Sequence, residues 1–197
     1  MTATNQRAFS SVLSDLDGIY HEIWATLQHA VTSATHGWHL PVLGTSVADR
    51  PDSRMVVLRD VVHEQCVIRC HTDTRSNKVL QIEANPRVSW LFYDSTMRVQ
   101  LRMESIATIH RHDDLADKRW HQSRLESRRC YLAPHPPRQV TEAPTVNLPS
   151  QFQHRIPTPE EADLGRHNFS VISAKIHAIE WLWLSRSGNR SAVFKTN

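Results

Sequence analysis

Glycine is scarce in this chain, with five in 197 residues. The glycine-rich loops that let a backbone wrap a diphosphate or expose a nucleophilic serine need several glycines at fixed offsets. No G-x-G-x-x-G, no G-x-x-x-x-G-K-[ST] and no G-x-S-x-G is present, so Rossmann, P-loop and α/β-hydrolase readings fail. Cysteine is also scarce, at three. Cys66 and Cys70 lie four apart on an expected strand and so share a face, and Cys130 is remote. Without a C-x-x-C, this pattern points to reduced thiols rather than a disulfide framework. No run of eighteen apolar residues exists, which gives no expected membrane span. The start, MTATNQRAFSSVLSDLD, lacks a basic region followed by an apolar block; no secretory signal is expected, and a cytoplasmic location is.

Histidine is abundant, at thirteen. Yet His36 with His39, and His110 with His112, lack a third ligand at a recognisable spacing, and no H-E-x-x-H occurs, so no metal site is expected. The net charge is +3, with a pI near 9.0. This mild basicity suits any phosphate binder. Without a basic block, or basic residues interleaved with aromatics, nucleic acid is not the expected partner, although Arg119 to Arg138 is the stretch that would serve one.

Apolar residues make up 40% of the chain and charged residues 22%, as in an ordinary globular protein. The length suggests one domain spanning residues 1–197. Leu16, Ile19, Ile23, Leu27, Ala30 and Val31 recur at helical spacing and predict a helix over 14–33, capped by Ser14 or Asp15. Strands are expected over 40–47, 54–62 and 65–72, with a turn centred on Pro51 at 48–53. A tight hairpin at His63–Glu64 joins the second strand to the third. A helix over 74–84 ends at Asn85–Pro86. The apolar run 88–93 predicts a strand buried on both faces. Further strands are expected over 99–109, 169–184 and 191–195, and a helix over 113–125. Residues 132–159 hold seven of the ten prolines and no periodicity. Such a stretch is a lid, an arm or a disordered segment. Runs of strands with short turns and a few helices predict an antiparallel barrel with peripheral helices.

One region concentrates polar chemistry. Arg54 and Arg59 flank an apolar MVVL core. Arg75, Ser76, Asn77 and Lys78 open a helix, where cations oppose the macrodipole unless an anion is present. A solvated helix start explains the same residues without a ligand. Arg98, Gln100 and Arg102 share one face of a strand. Gln100 offers both a donor and an acceptor to a heterocycle edge, although a solvent-facing polar row explains it equally.

In order, RMVVLR (Arg54 to Arg59), HTDTRSNK (His71 to Lys78), IEANPRVSWLF (Ile82 to Phe92) and RVQLR (Arg98 to Arg102) resemble the pyridoxamine 5′-phosphate oxidase-like family of FMN-binding split barrels. WHQSR (Trp120 to Arg124) and IEWLWL (Ile179 to Leu184), with Arg190, resemble its later segments. The resemblance implies an FMN-binding split β-barrel and a homodimer with FMN at the subunit interface. Arg54 and the backbone at Val56 and Val57 would approach the flavin. His71 and Thr72 would line the ribityl and ring region. Ser76 and Lys78 would hold the phosphate, with Arg75 and Asn77 beside them. Gln100 would bind the flavin edge, and Trp183 and Arg190 would come from near the C-terminus. Arg59, Trp120 and Arg124 would face a small-molecule substrate.

The departures are informative. Asn77 stands where the oxidase has arginine, Trp120 where it has tyrosine, and Arg59 where it has lysine; the C-terminal R-x-H is absent from SRSGNRSAVF (Ser185 to Phe194). The resemblance therefore implies an FMN-dependent oxidoreductase with a different substrate. A non-catalytic flavin- or haem-binding split barrel is the alternative.

Overall fold

The computed structural model describes residues 15–48, 50–144 and 146–196. Helix α1 (Leu16–Thr32) starts at Asp15, whose carboxylate accepts from the amides of Asp17 and Gly18. Such a cap contributes about 1 kcal/mol. Ser14, the other candidate cap, lies outside the described residues. Ile19, Ile23, Trp24, Leu27 and Ala30 form the buried stripe of α1. Leu16 does not join it and stays exposed.

Strands β1 (Val42–Val47), β2 (Arg50–Met55), β3 (Leu58–Val62), β4 (Val67–Asp73), β5 (Arg87–Asp94), β6 (Val99–His110), β7 (Phe169–Trp183) and β8 (Arg190–Lys195) form one antiparallel sheet. Its order is β2-β1-β5-β6-β7-β4-β3, with β8 also on β7. The two ends of this path, β2 and β3, are consecutive in the chain and joined only by Val56 and Val57. The ends of the sheet are thereby drawn together into a barrel. Strand β7 is where it divides: Phe169 to Lys175 pair with β4, and Ala178 to Trp183 pair with β8.

Two expectations change here. The segment 54–62 is not one strand, because Arg54 pairs with β1 while Arg59 lies on β3, at the other end of the sheet. Pro51 is not the centre of a turn. It pairs with Ser46 in β2, at the end of the sheet path, where a missing N–H costs no ladder hydrogen bond. The turn falls earlier, through Ala48 at φ 48°.

The apolar run 88–93 is also not buried on both faces. In β5, Val88, Trp90, Phe92 and Asp94 are buried and the residues between them exposed, with Leu91 at 39% and Tyr93 at 47%. Their side chains cover the outside of the barrel.

The main core runs from Trp24 and Trp38 through Trp90, Phe92 and Leu101 to Ile179 and Trp181. Helix α2 (Asn77–Ala84) contributes Val79 and Ile82 to the buried side. Helix α3 (Asp114–Gln122), capped by Asp113, and the short α4 (Leu125–Arg128) follow β6. Around Trp120, a second small core forms with Phe169, Val171 and Tyr131.

Among the described residues, the proline-rich stretch holds no helix or strand between 133 and 149. It then holds a short turn at Ser150–Phe152 and ends at α5 (Pro159–Asp163). Thr158 and Glu161 form a reciprocal capping box that starts α5, a T-x-x-E signature legible in the sequence. Among the described residues, no helix is long and apolar enough to cross a membrane.

Candidate functional site

A cavity of about 530 Å³ opens where the β2–β3 crossover passes the end of β4, within the size range of small-ligand pockets. Arg54, Val56, Val57, His71, Thr72 and Lys78 line it. The structure thus brings six sequence-predicted residues together from three separate segments. Its opposite wall comes from the chain after α4: Tyr131, Ala133, Pro137, Asn147 and Leu148. Sequence reasoning missed these residues because the stretch has no periodicity. Its one signal was the density of prolines, which suits a stiff cover.

Thr72, Ser76 and Lys78 meet at the floor of the cavity. Lys78 Nζ donates to Thr72 Oγ1 at 3.0 Å, and the Thr72 and Ser76 hydroxyls are 3.1 Å apart. Ser76 occupies the N-cap position of α2 but makes no side-chain cap bond. The Val79 amide donates to the Ser76 carbonyl at 2.9 Å, which leaves the first-turn amides of Asn77 and Lys78 as donors at the positive end of the helix. Burial lowers the pKa of Lys78 below that of an ordinary lysine, and the positive charge of Arg54 adds to the effect. An anion in the corner would offset both effects by favouring the charged ammonium.

The two arginines nearby are occupied differently. Arg54 donates to Leu43 O, Thr45 Oγ1 and Gln81 Oε1, and pairs with Asp52 at 2.7 Å. Arg75 lies before α2, not in its first turn. It pairs with Asp73 at 2.7 Å and reaches the carbonyls of Ala133 and Pro134, clasping the covering segment to the end of β4. Asn77 is exposed at the start of α2. Neither Arg75, Ser76 nor Asn77 is part of the cavity lining, although Ser76 lies directly beneath it through Thr72.

A second cavity of about 360 Å³ holds Arg59, Arg119 and Arg124, with His39, His71, Gln122, Ser123 and Ser127. His71 is in the wall of both cavities. Burial, with the charges of Arg59 and Arg119 adding to it, lowers the His71 pKa to about 3, so the ring is neutral. It packs edge-on against Phe169 at 4.9 Å. Trp120 does not line this cavity. Its indole is 1% exposed and donates to Asp163 at 2.6 Å, with Arg128 stacked over it at 5.1 Å.

Gln100, Trp183 and Arg190 form a separate group. Gln100 pairs with Leu182 across β6 and β7, Trp183 pairs with Arg190 across β7 and β8, and the Arg190 guanidinium sits 5.9 Å from the Trp183 ring. None of the three lines either cavity.

The residues fit a flavin mononucleotide. The first cavity combines a phosphate-sized corner of ammonium, hydroxyl and helix amides with apolar crossover walls at Val56 and Val57 for a flat ring.

The sequence pattern described as "Pyridoxamine 5'-phosphate oxidase, FMN-binding domain" matches residues 21–111. No curated protein matches the chain in sequence. Among solved structures, a pyridoxamine 5′-phosphate oxidase-related, FMN-binding protein from Nostoc punctiforme is similar at 20% identity and a TM-score of 0.63, covering 90% of this chain and 97% of that one. PhzG from Burkholderia lata, in complex with tetrahydrophenazine-1-carboxylic acid, is similar at 14% identity and a TM-score of 0.62, covering 87% and 83%. At these identities the likeness is one of fold: the antiparallel split barrel. Residues 21–111 thus carry the pattern of the pyridoxamine 5′-phosphate oxidase FMN-binding domain, and the sheet has the split-barrel fold of the FMN-binding proteins it resembles.

Proposed function

We propose that this protein is an FMN-dependent oxidoreductase that acts as a homodimer on a small anionic substrate other than pyridoxamine 5′-phosphate. The observation that carries the reading is the shared wall at His71. A cavity with a phosphate corner and a cavity lined by arginines lie on its two sides. A cofactor in the first and a substrate in the second would be neighbours.

Bound flavin would supply the two-electron chemistry. The chain's own residues bind and orient. Lys78, Thr72 and the α2 amides hold the phosphate. Val56 and Val57 offer a flat apolar wall. Tyr131, Ala133 and Leu148 exclude water from above. Neutral His71 separates the two ligands without adding charge between them. Arg59 and Arg124 hold the anionic end of the substrate.

The distribution of candidates supports the dimer. Gln100, Trp183 and Arg190 lie away from the cavity of their own chain, as they would if each cofactor were completed by the partner. The exposed outer residues Leu91, Tyr93 and Val193 give that partner an apolar surface.

The test separates the phosphate from the ring. Lys78→Ala and Ser76→Ala are expected to weaken FMN by roughly 10- to 100-fold, as for loss of charge-assisted hydrogen bonds. Riboflavin, which has no phosphate, should change by less than about threefold. Equal losses for both ligands, or no flavin binding by the unmodified protein, would overturn the assignment. Fluorescence titration of the apoprotein measures both.

A further inference from the structure

The second cavity is lined by three arginines and two histidines, and no aspartate or glutamate is in its wall. One carboxylate, Asp60, stands behind it, and two cations already share that carboxylate. Arg69 and Arg119 both bond Asp60 Oδ2, and Arg69 is held in turn by Ser173 at 3.1 Å. Among the described residues, no carboxylate pairs with Arg59 or Arg124. Uncompensated guanidinium groups gathered around one concavity repel each other and are stabilised by a polyanion.

Arg119 is the residue the resemblance did not assign. Its neighbour Trp120 is turned into the small core, and Arg119 takes the place on the cavity wall. Its guanidinium is not a loose surface charge. Asp60 fixes one end, Gln122 Oε1 accepts from Nη1 at 3.3 Å, and Nε is buried without an acceptor. A preorganised fork of this kind is suited to oxyanions.

Resting on the reading of this cavity as the substrate end, we infer that Arg119 is a specificity-determining residue and that Asp60 positions it. Together with Arg59 and Arg124, Arg119 selects a ligand bearing two linked anionic groups over one bearing a single group. The chemical class is a diphosphate or a comparably charged di-anion pair. Arg59 and Arg124 take one group, and Arg119 takes the other.

Pyrophosphate and inorganic phosphate are the probes, titrated calorimetrically into the full chain with and without FMN. Pyrophosphate is expected to bind at least about tenfold tighter than phosphate, one charge-assisted contact's worth. Arg119→Gln should remove that preference and leave phosphate within about threefold. Arg119→Lys keeps the ion pair to Asp60 but loses the fork, and should lose roughly three- to tenfold in pyrophosphate affinity alone. It also serves if the glutamine variant does not fold. Asp60→Asn should lower the preference while phosphate affinity holds, which a merely structural role would not produce.

No preference in the unmodified protein, or a preference that survives in Arg119→Lys and Arg119→Gln, overturns the inference. So does loss of pyrophosphate binding in Lys78→Ala, which would place the probe in the phosphate corner instead. Binding by the flavin-free protein keeps the two readings apart: FMN could fail to bind while the arginine cavity still discriminates.

Discussion

The two cavities on either side of His71 are both built around arginine, and the arginines do opposite things. At the first, Arg54 in the wall pairs with Asp52, which Arg138 shares, and Arg75 just outside the lining pairs with Asp73; each ties backbone carbonyls as well. They hold the crossover and the covering segment in place; of the other cations in the wall, Arg129 bonds the carbonyls of Phe152 and Arg155, and Lys78 is half-buried with a hydroxyl for a partner. In the second, the cations outnumber the one carboxylate behind them. The comparison shows that counting arginines does not locate an anion site. What matters is which of them the fold has already paired. An arginine with a carboxylate and backbone carbonyls to hold is architecture, whereas Arg59 and Arg124 have no carboxylate partner among the described residues and Arg119 shares its one carboxylate with Arg69.

The contrast is broken most directly by deleting one arginine from each side. Arg54→Ala leaves Asp52, Thr45 and Gln81 without their central donor in a site where the arginine side chain is 18% exposed. The expected cost is roughly 2–3 kcal/mol, discounted from the fully buried case for partial exposure. Arg59→Ala and Arg124→Ala remove no ion pair and should stay within about 0.5 kcal/mol. Urea denaturation at pH 7 compares all three. A loss at Arg59 as large as that at Arg54 would abolish the distinction.

His71 sharpens the comparison because it reads the charge of the second cavity. Its folded pKa of about 3 lies below the ordinary value of 6.5. The folded state therefore binds fewer protons than the unfolded state between those values. The stability this contributes is fully present above about pH 6.5. It is lost as pH falls toward 3, at up to about 1.4 kcal/mol per pH unit. Between pH 7 and pH 5, the unmodified protein should lose roughly 1–2 kcal/mol more than His71→Gln, which has no such proton to gain. Carboxylates titrating in the same range contribute equally to both proteins, so the difference isolates the histidine. Pyrophosphate should shrink that difference, because an anion offsets the Arg59 and Arg119 charges that help to depress the pKa. Equal pH dependence of the two proteins would show that His71 is not held neutral by its surroundings.

Much of this arrangement was legible in the chain, for physical reasons that vary by residue. The stripe of α1 and the alternation along β6 follow from period alone. The ordered motifs from Arg54 to Arg102 named the split barrel and six residues of one cavity. What failed was local reading where tertiary context decides. Pro51 resembles a turn residue, but at the end of a sheet path it sits in a strand. The run 88–93 looked buried on both faces because Leu91 and Tyr93 are apolar, and nothing in a sequence says that an apolar residue faces outward. The wall contributed by Tyr131, Asn147 and Leu148 has no period to read. Arg119 was hidden for a subtler reason. Trp120 matched a motif position, yet which of two adjacent helix residues faces the cavity depends on the small core of Phe169 and Tyr131.

The smallest effect concerns the start of α2, where this chain departs from the oxidase pattern. Asn77 is exposed, in the first turn, beside a corner that already has Lys78, Thr72 and free helix amides. In the absence of an anion, a further cation there would oppose the macrodipole and cost a few tenths of a kcal/mol. With FMN bound, the same cation gains a phosphate partner across solvent, worth about 0.5–1 kcal/mol at low salt. Asn77→Arg should therefore lower the apoprotein's melting temperature slightly and tighten FMN by about two- to fivefold. The gain should fade in high salt, because the new side chain is exposed and screened. The corresponding change on the other side, Arg59→Lys, should leave FMN affinity unchanged if FMN occupies the first cavity as proposed, since Arg59 lies beyond His71 and outside that cavity's wall. If Arg59→Lys alters FMN binding as much as Asn77→Arg does, then the two cavities act as one site, and the wall at His71 does not divide cofactor from substrate.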